Sequence, residues 1–251
     1  MIAVLMGGYS AEREISLLSG NAVYKALLNN NVDCFSFDLT NDNLEELWKK
    51  EFDKAFIVLH GKGGEDGFIQ SQLARKNIPF TGSGITSSNL CINKSATKEL
   101  WNKHDLPLSP SILATKGKQL DSISFSLPWA IKPTMEGSSI GISKVKNKNE
   151  LSNALELAWQ YNNEALIEHW IEGDEYTVAI LGNKALPSIK IISDHDIYDY
   201  HSKYFSDKTE YLCPSDLTKE QERNIQSIAM RAFDLTGASD WGRVDFILDK
   251  D

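Results

Sequence analysis

MIAVLMGGYSAEREISLLSGNAVYKALL, residues 1–28, joins an apolar run to a helical pattern across two glycines. Ile2 to Met6 is short and wholly apolar, and Gly7 and Gly8 end it, so it reads as a strand running into a tight turn. From Ser16 to Leu28 the positions Leu17, Leu18, Ala22, Val23 and Ala26 recur at helical spacing. Strand, turn and helix in that order open a parallel sheet covered by helices. The next fifty residues repeat the alternation, with strands expected at Val32 to Phe37 and Ala55 to His60 and a helix near Leu44 to Lys50. The expected class is α/β, with an N-terminal parallel-sheet domain.

Working outward, TGSGITSS (81–88) reads as a linker or hinge, and Asn93 to His104 as a helix stopped by Pro107 and Pro110, after which the chain restarts as extended structure. Short strands are expected at Trp129 to Lys132, Ile142 to Val145 and Ala165 to His169, with a helix from Glu150 to Tyr161 among them. Strands at Thr177 to Leu181, Ile189 to Ile192 and Val244 to Leu248 follow, with a helix from Lys219 to Leu235. Thr218 and Gln221 form a capping-box signature for that helix, and Gly237 ends it. This second part mixes α and β, and its strands need not be parallel.

Composition narrows the function. Of 251 residues 41% are hydrophobic and 24% charged, which suits a globular chain rather than a disordered one. Twenty-six Lys and Arg against 35 Asp and Glu give a formal charge of -9, which argues against nucleic acid or an anionic membrane as partner. Any anionic ligand then needs a local basic site. The apolar runs are only a few residues long and no basic segment precedes the first, so a soluble, unexported protein is expected. Cys34, Cys91 and Cys213 are far apart and form no C-x-x-C pair, so neither disulfides nor zinc are indicated and a reducing cytoplasm fits.

Six strings carry chemistry. In GGYSAERE (7–14), Glu12 suits a substrate ammonium, although acids here also complement a helix dipole. In LHGKGGEDG (59–67), His60 ends a strand before four glycines that let backbone amides approach a ligand; there it suits a substrate carboxylate, or serves as a structural hydrogen-bonder. In IKPTMEGSSIG (131–141), Lys132 adjoins a Gly/Ser loop. Lys132 and Lys94 would supply two positive charges to a phosphate, with Gly137, Ser138, Ser139 and Gly141 as a flap, but the spacing is not that of a P-loop. An ordinary hairpin is the alternative. LIEHWIEGDE (166–175) would offer backbone groups to an adenine edge and Glu175 to ribose hydroxyls, while composition alone describes a strand and a turn. WGRVDFILD (241–249) places Arg243 and Asp245 on one strand face, either as an anion stabiliser beside a ligand for a hard cation or as a plain salt bridge. YDYHSKYFSD (198–207) reads as a loop able to cover a site.

Taken together, and in this order from Met1 to Asp251, these strings with PFTGSG and NKSATKELW resemble the D-alanine:D-alanine ligases of the ATP-grasp superfamily. The resemblance implies an α/β domain (1–85) that binds substrate, followed by a pair of α+β subdomains (86–173 and 174–251) that grip ATP. It implies that Lys94 and Lys132 bind phosphates, that Glu168, His169, Trp170 and Ile171 contact adenine, and that Glu175 meets the ribose. It places Glu12 and His60 around the first D-alanine. It implies that Ser138 and Tyr204 form a hydrogen-bonded set with Glu12, and that Ser139 belongs to the phosphate loop with Ser138. It further implies that Lys203 lies near the γ-phosphate, that Arg243 stabilises the anionic intermediate, and that Asp245 is a ligand of Mg²⁺ (or Mn²⁺).

Two departures accompany the likeness. His169 stands where the family often has lysine, and the sequence stops before the family's Glu-x-Asn-Thr-x-Pro-Gly motif, so the last subdomain is expected to be incomplete and a chain truly ending at Asp251 is expected to bind ATP weakly without ligating. The activity implied is ligation of two D-alanines through an acyl phosphate for peptidoglycan synthesis, by a cytoplasmic homodimer. Rival readings are a truncated nucleotide-binding module without turnover, a D-alanine:D-lactate ligase, which Tyr204 disfavours, and a nicotinamide dehydrogenase, which the missing dinucleotide fingerprint disfavours. The assignment rests on Lys94 and Lys132 neutralising one polyanionic tail.

Overall fold

The computed structural model describes residues 1–193 and 209–249. The chain divides into two compact units: Met1–Leu90 with Gly237–Asp240, and the described residues within Cys91–Thr236 and Trp241–Asp251.

In the first unit, β1 (Ile2–Gly7) lies between β2 (Cys34–Leu39) and β3 (Lys54–Ile57), parallel to both. Ala3 and Leu5 join one core with Phe37, Leu39, Leu47, Ile69 and Leu73. Val4 and Met6 point the other way, onto Leu17, Val23 and Leu27 of α1 (Arg13–Asn29). Both faces of β1 are therefore covered, which is why its sequence is apolar without alternation. Each fully buried Leu or Ile here contributes about 1.5–3 kcal/mol. A short α2 (Leu44–Leu47), α3 (Phe68–Arg75) and α4 (Ile85–Ile92) complete the order.

Three local expectations are revised. The strand expected to reach His60 ends at Ile57. The hinge expected over 81–88 is a loop only as far as Gly84, because Ser88 N–H bonds the Gly84 carbonyl and helix α4 has begun at Ile85. Helix α3 was not expected, although Asp66 accepts from Phe68 N–H at 3.0 Å at its start, and Ile69 and Leu73, four apart, are fully buried.

The second unit holds two antiparallel sheets. One has the order β4 (Ser111–Thr115), β7 (Glu164–His169), β5 (Trp129–Pro133), β6 (Ser143–Val145). Its apolar face packs on α6 (Leu151–Ala158) through Trp129, Ile131, Val145, Leu155, Ala158 and Ile167. The other runs β11 (Glu210–Leu212), β10 (Ile189–Ile192), β8 (Gly173–Leu181), β12 (Trp241–Asp249), with β9 (Lys184–Ala185) on β8. Helix α7 (Lys219–Leu235) buries Ile225, Ala229, Ala232 and Phe233. Gly242 is small because a Cβ there would stand 2.6 Å from the Phe233 ring. Helix α5 (Lys94–Asn102) begins at Asn93, whose side chain accepts from Ala96 N–H, and is fastened to α7 by Trp101 Nε1–H donating to the Ala232 carbonyl at 3.1 Å.

Candidate functional site

A cavity of about 760 Å³ opens in the second unit between the two antiparallel sheets. Its floor comes from Ala130 and Lys132 on β5 and Lys144 on β6. The connection from Glu168 to Glu175 between β7 and β8 forms one wall, and Lys190 to Ser193 and Ile247 form the other. Of the sequence-derived candidates, Lys132, Ser139, Glu168, His169, Trp170, Ile171 and Glu175 line this one space.

Strand register sets its charge. Ala130 pairs with Glu168 and Lys132 with Leu166, so Lys132 and Glu168 are diagonal neighbours on one face and form an ion pair. The second oxygen of Glu168 takes Lys98 Nζ from α5 at 2.7 Å, and Lys98 also donates to the Ser109 carbonyl at 2.9 Å. Burial pushes the Glu168 carboxyl up, but the charges and hydrogen bonds of Lys132 and Lys98 outweigh it and hold the group below its ordinary value. Burial pulls the Lys98 ammonium down, and Glu168 counteracts this. A carboxylate shared by two lysines is ionised, so the triad carries a net positive charge.

Lys94 opens α5: its backbone N–H bonds the Thr134 carbonyl and its ammonium the Glu136 carbonyl. It thus clasps the segment between Lys132 and the Gly/Ser loop, and among the described residues the cavity lining includes Lys132 but not Lys94. In that loop Ser138 and Ser139 have φ of 49° and 59° and Gly141 has 71°. Two consecutive left-handed serines are unusual for residues with a Cβ and mark a locally strained turn. A Cβ on Gly141 would stand 2.8 Å from both Pro133 and Tyr161.

The adenine-contacting candidates are already tied into the fold by their backbone. His169 N–H bonds the Pro110 carbonyl, Trp170 N–H bonds the Pro128 carbonyl, and the His169 carbonyl accepts from Ser109 Oγ at 2.6 Å. The His169 ring reaches the Ser126 carbonyl through Nδ1 at 3.1 Å. Glu175 lies on β8 opposite Ile191 and Ile247. Two further lysines at the cavity escaped the sequence reading. Lys144 sits 4.3 Å above the Trp170 ring, and Lys190 is held by Asp174 at 2.7 Å and Asp216 at 2.8 Å. Those two hydrogen bonds raise the Lys190 pKa above the ordinary lysine value. Lys98 had a legible signal, since it follows Lys94 by one helical turn in NKSATKELW.

On β12, Arg243 and Asp245 pair with each other, and Thr177 Oγ donates to Asp245 at 2.8 Å. Among the described residues no three His, Cys, Asp or Glu side chains gather closely enough to enclose a metal alone. A single carboxylate remains compatible with Mg²⁺, which takes one or two protein carboxylates and completes its shell with phosphate oxygens and water. Lys203 and Tyr204 lie outside the described residues.

In the first unit the turns after β1 and β3 interlock. Gly7 and Gly8 have φ of 85° and 83°, and a Cβ on Gly7 would stand 2.1 Å from Asp38 Oδ1. Arg13 bridges Asp38 and the Gly8 carbonyl. Ser10 Oγ donates to the His60 carbonyl at 2.7 Å, and Glu12, only 7% exposed, sits against Gly61 at the N-terminus of α1. His60 meets Ser19 Oγ through Nε2 at 3.3 Å and Glu65 through Nδ1 at 3.7 Å. The neighbouring Glu65 carboxylate raises the His60 pKa, burial opposes it, and the charge of Glu12 adds to the rise. The arrangement brings two acids and an imidazole together beside the glycine turn at Gly61.

A parallel-sheet unit followed along the chain by two antiparallel sheets enclosing a lysine-lined cavity is the ATP-grasp architecture. A family model described as D-ala D-ala ligase C-terminus matches residues 100–251. A D-alanine--D-alanine ligase of Ruthia magnifica subsp. Calyptogena magnifica is 60% identical over 250 residues, covering 100% of this chain and 85% of that relative. One from Vesicomyosocius okutanii subsp. Calyptogena okutanii is 58% identical with the same coverage. The solved D-alanine--D-alanine ligase of Bacillus anthracis complexed with ATP superimposes with a TM-score of 0.86 at 28% identity, covering 99% of this chain and 82% of that one. A D-Ala:D-Ser ligase from Enterococcus faecalis reaches 0.83 at 27% identity, covering 99% and 86%. The chain belongs to the D-alanine--D-alanine ligase family.

Proposed function

We propose that this chain joins two D-alanines into D-alanyl-D-alanine at the expense of ATP, through an acyl phosphate, for peptidoglycan synthesis in the cytoplasm, and that it works as a homodimer. The observation that carries the reading is the cavity between the two antiparallel sheets, lysine-lined in a chain of net charge -9 and of a size to take a nucleotide.

The chemistry follows from the groups present. A carboxylate is a poor electrophile, and transfer of the γ-phosphoryl of ATP to the first D-alanine makes it one. Lys132 and Lys94 balance phosphate charge, with Lys203 near the γ-phosphate. Glu168, His169, Trp170 and Ile171 receive the adenine, and Glu175 the ribose. Glu12 and His60 hold the first D-alanine by its ammonium and carboxylate. The second amine attacks the acyl carbon, and Arg243 stabilises the tetrahedral oxyanion before phosphate leaves. Ser138, Ser139 and Tyr204 exclude the water that would hydrolyse the acyl phosphate. Asp245 would hold Mg²⁺ (or Mn²⁺), which would neutralise charge at the phosphates.

The test is product analysis with D-alanine alone and with D-alanine plus D-serine or D-lactate. ADP release matched by D-alanyl-D-alanine supports the proposal. Predominant mixed product at neutral pH reassigns the second substrate, and ATP binding without any D-alanine-dependent ADP release reduces the protein to a nucleotide-binding module.

A further inference from the structure

Lys132 lines the cavity from the strand that runs into the Gly/Ser loop, yet it is paired with Glu168. Alone, that pair would be neutral and would offer a polyanion nothing. Lys98 alters the sum. It reaches Glu168 from α5, with its side chain 15% exposed and Glu168's 10%, and it takes the carboxylate oxygen that Lys132 does not use. Its ammonium also donates to the Ser109 carbonyl, and Ser109 Oγ in turn donates to the His169 carbonyl. Lys98 is not among the cavity-lining residues; it stands behind Glu168.

We propose that Lys98 is a positioning residue that sets the charge of the cavity: by occupying one oxygen of Glu168 it keeps the triad at net +1 and leaves Lys132 able to attract phosphate. The inference rests on the nucleotide reading of the cavity. Three groups count, two cations and one anion, and removing either outer charge changes the sum by one. Lys98→Gln takes it from +1 to 0, Glu168→Gln to +2, and the double change returns it to +1. Because all three groups are at most about a quarter exposed, solvent screens them less than it would at the surface.

Binding of three probes separates charge from shape. Inorganic tripolyphosphate carries the charge without the base, adenosine carries the base without the charge, and ATP carries both. Isothermal titration of the wild-type protein comes first; absence of ATP binding there overturns the nucleotide reading itself, and this inference with it. Given wild-type binding, K98Q is expected to weaken ATP and tripolyphosphate about tenfold and leave adenosine unchanged. K98R, which keeps the charge, is expected to stay within about twofold of wild type for all three. The K98Q/E168Q protein is expected to recover tripolyphosphate affinity to within about threefold of wild type. Equal weakening of adenosine and tripolyphosphate by K98Q, or a double variant no tighter than K98Q for tripolyphosphate, overturns the proposal. If K98Q fails to fold, K98R and a comparison of E168Q with wild type still decide it, since the charge count requires E168Q to bind tripolyphosphate more tightly.

Discussion

Arg243 grips Asp245 through two hydrogen bonds, Nε to Oδ1 at 2.9 Å and Nη2 to Oδ2 at 3.1 Å, from the same face of one strand. Both side chains are about half exposed, so the pair adds little to stability. If Arg243 serves the oxyanion, Arg243→Met lowers kcat about 10²- to 10³-fold with an unchanged urea midpoint. Steady-state ADP release beside urea unfolding checks this. A shifted midpoint with unaltered kcat would mean that the pair is only structural.

His60 should titrate above the ordinary histidine value of 6.5, because the Glu65 carboxylate lies beside its protonated ring. A raised folded pKa contributes stability that is complete below about pH 6.5 and is lost as pH climbs through the folded value. The stability advantage of wild type over Glu65→Gln is therefore larger at pH 5.5 than at pH 8.5. Urea unfolding at both values reads it, and an NMR titration of His60 in each protein should show the lower pKa in the variant.

Gly20 lies where α1 crosses β1, and a Cβ there would stand 2.4 Å from Met6 Cβ and 3.1 Å from its sulfur. Gly20→Ala gains helix propensity of about 1 kcal/mol but overpacks this contact, which typically costs about 1–3 kcal/mol. Met6 Cβ belongs to the central strand and cannot swing away, so net destabilisation is expected in chemical unfolding. Gly84→Ala meets no atom within 4 Å and should change the midpoint little.

Thr218 accepts from Gln221 N–H at 3.3 Å, and the Gln221 side chain accepts from Thr218 N–H at 3.0 Å. Thr218→Ala removes one half of this box and should destabilise the second unit by about 1 kcal/mol, visible as a lower Tm. Thr218→Ser should restore it.

Much of the fold was readable because its signals are local. Thr218, Gln221 and the helix Lys219–Leu235 lie within one continuous stretch, and the helix has the bounds that its periodicity predicts. Strand β10 likewise spans Ile189–Ile192 as read. Helix α3 was overlooked because its eight residues sit in a polar context where only Ile69 and Leu73 mark the buried face. Strand β4 was seen only as extended chain, since its five residues alternate too briefly to separate a strand from a loop. At the candidate site, residue types were legible and pairings were not. Lys94 and Lys132 stood out in their motifs, whereas Lys144 and Lys190 look like ordinary surface lysines until the strands bring them to the cavity.

The sequence by itself determined which segments must be buried on both sides, where helices start, and which chemistries are at hand, because periodicity, caps and glycines act over a few residues. Only the tertiary structure decided that Glu168 is shared by Lys98 and Lys132 while Lys94 closes on Glu136. Those partners lie 70, 36 and 42 positions apart, and their meeting depends on the register of β5 against β7 and on how α5 is seated. A one-residue slip in that register would turn Glu168 to the opposite face and dissolve the triad, and no local pattern in the chain encodes it.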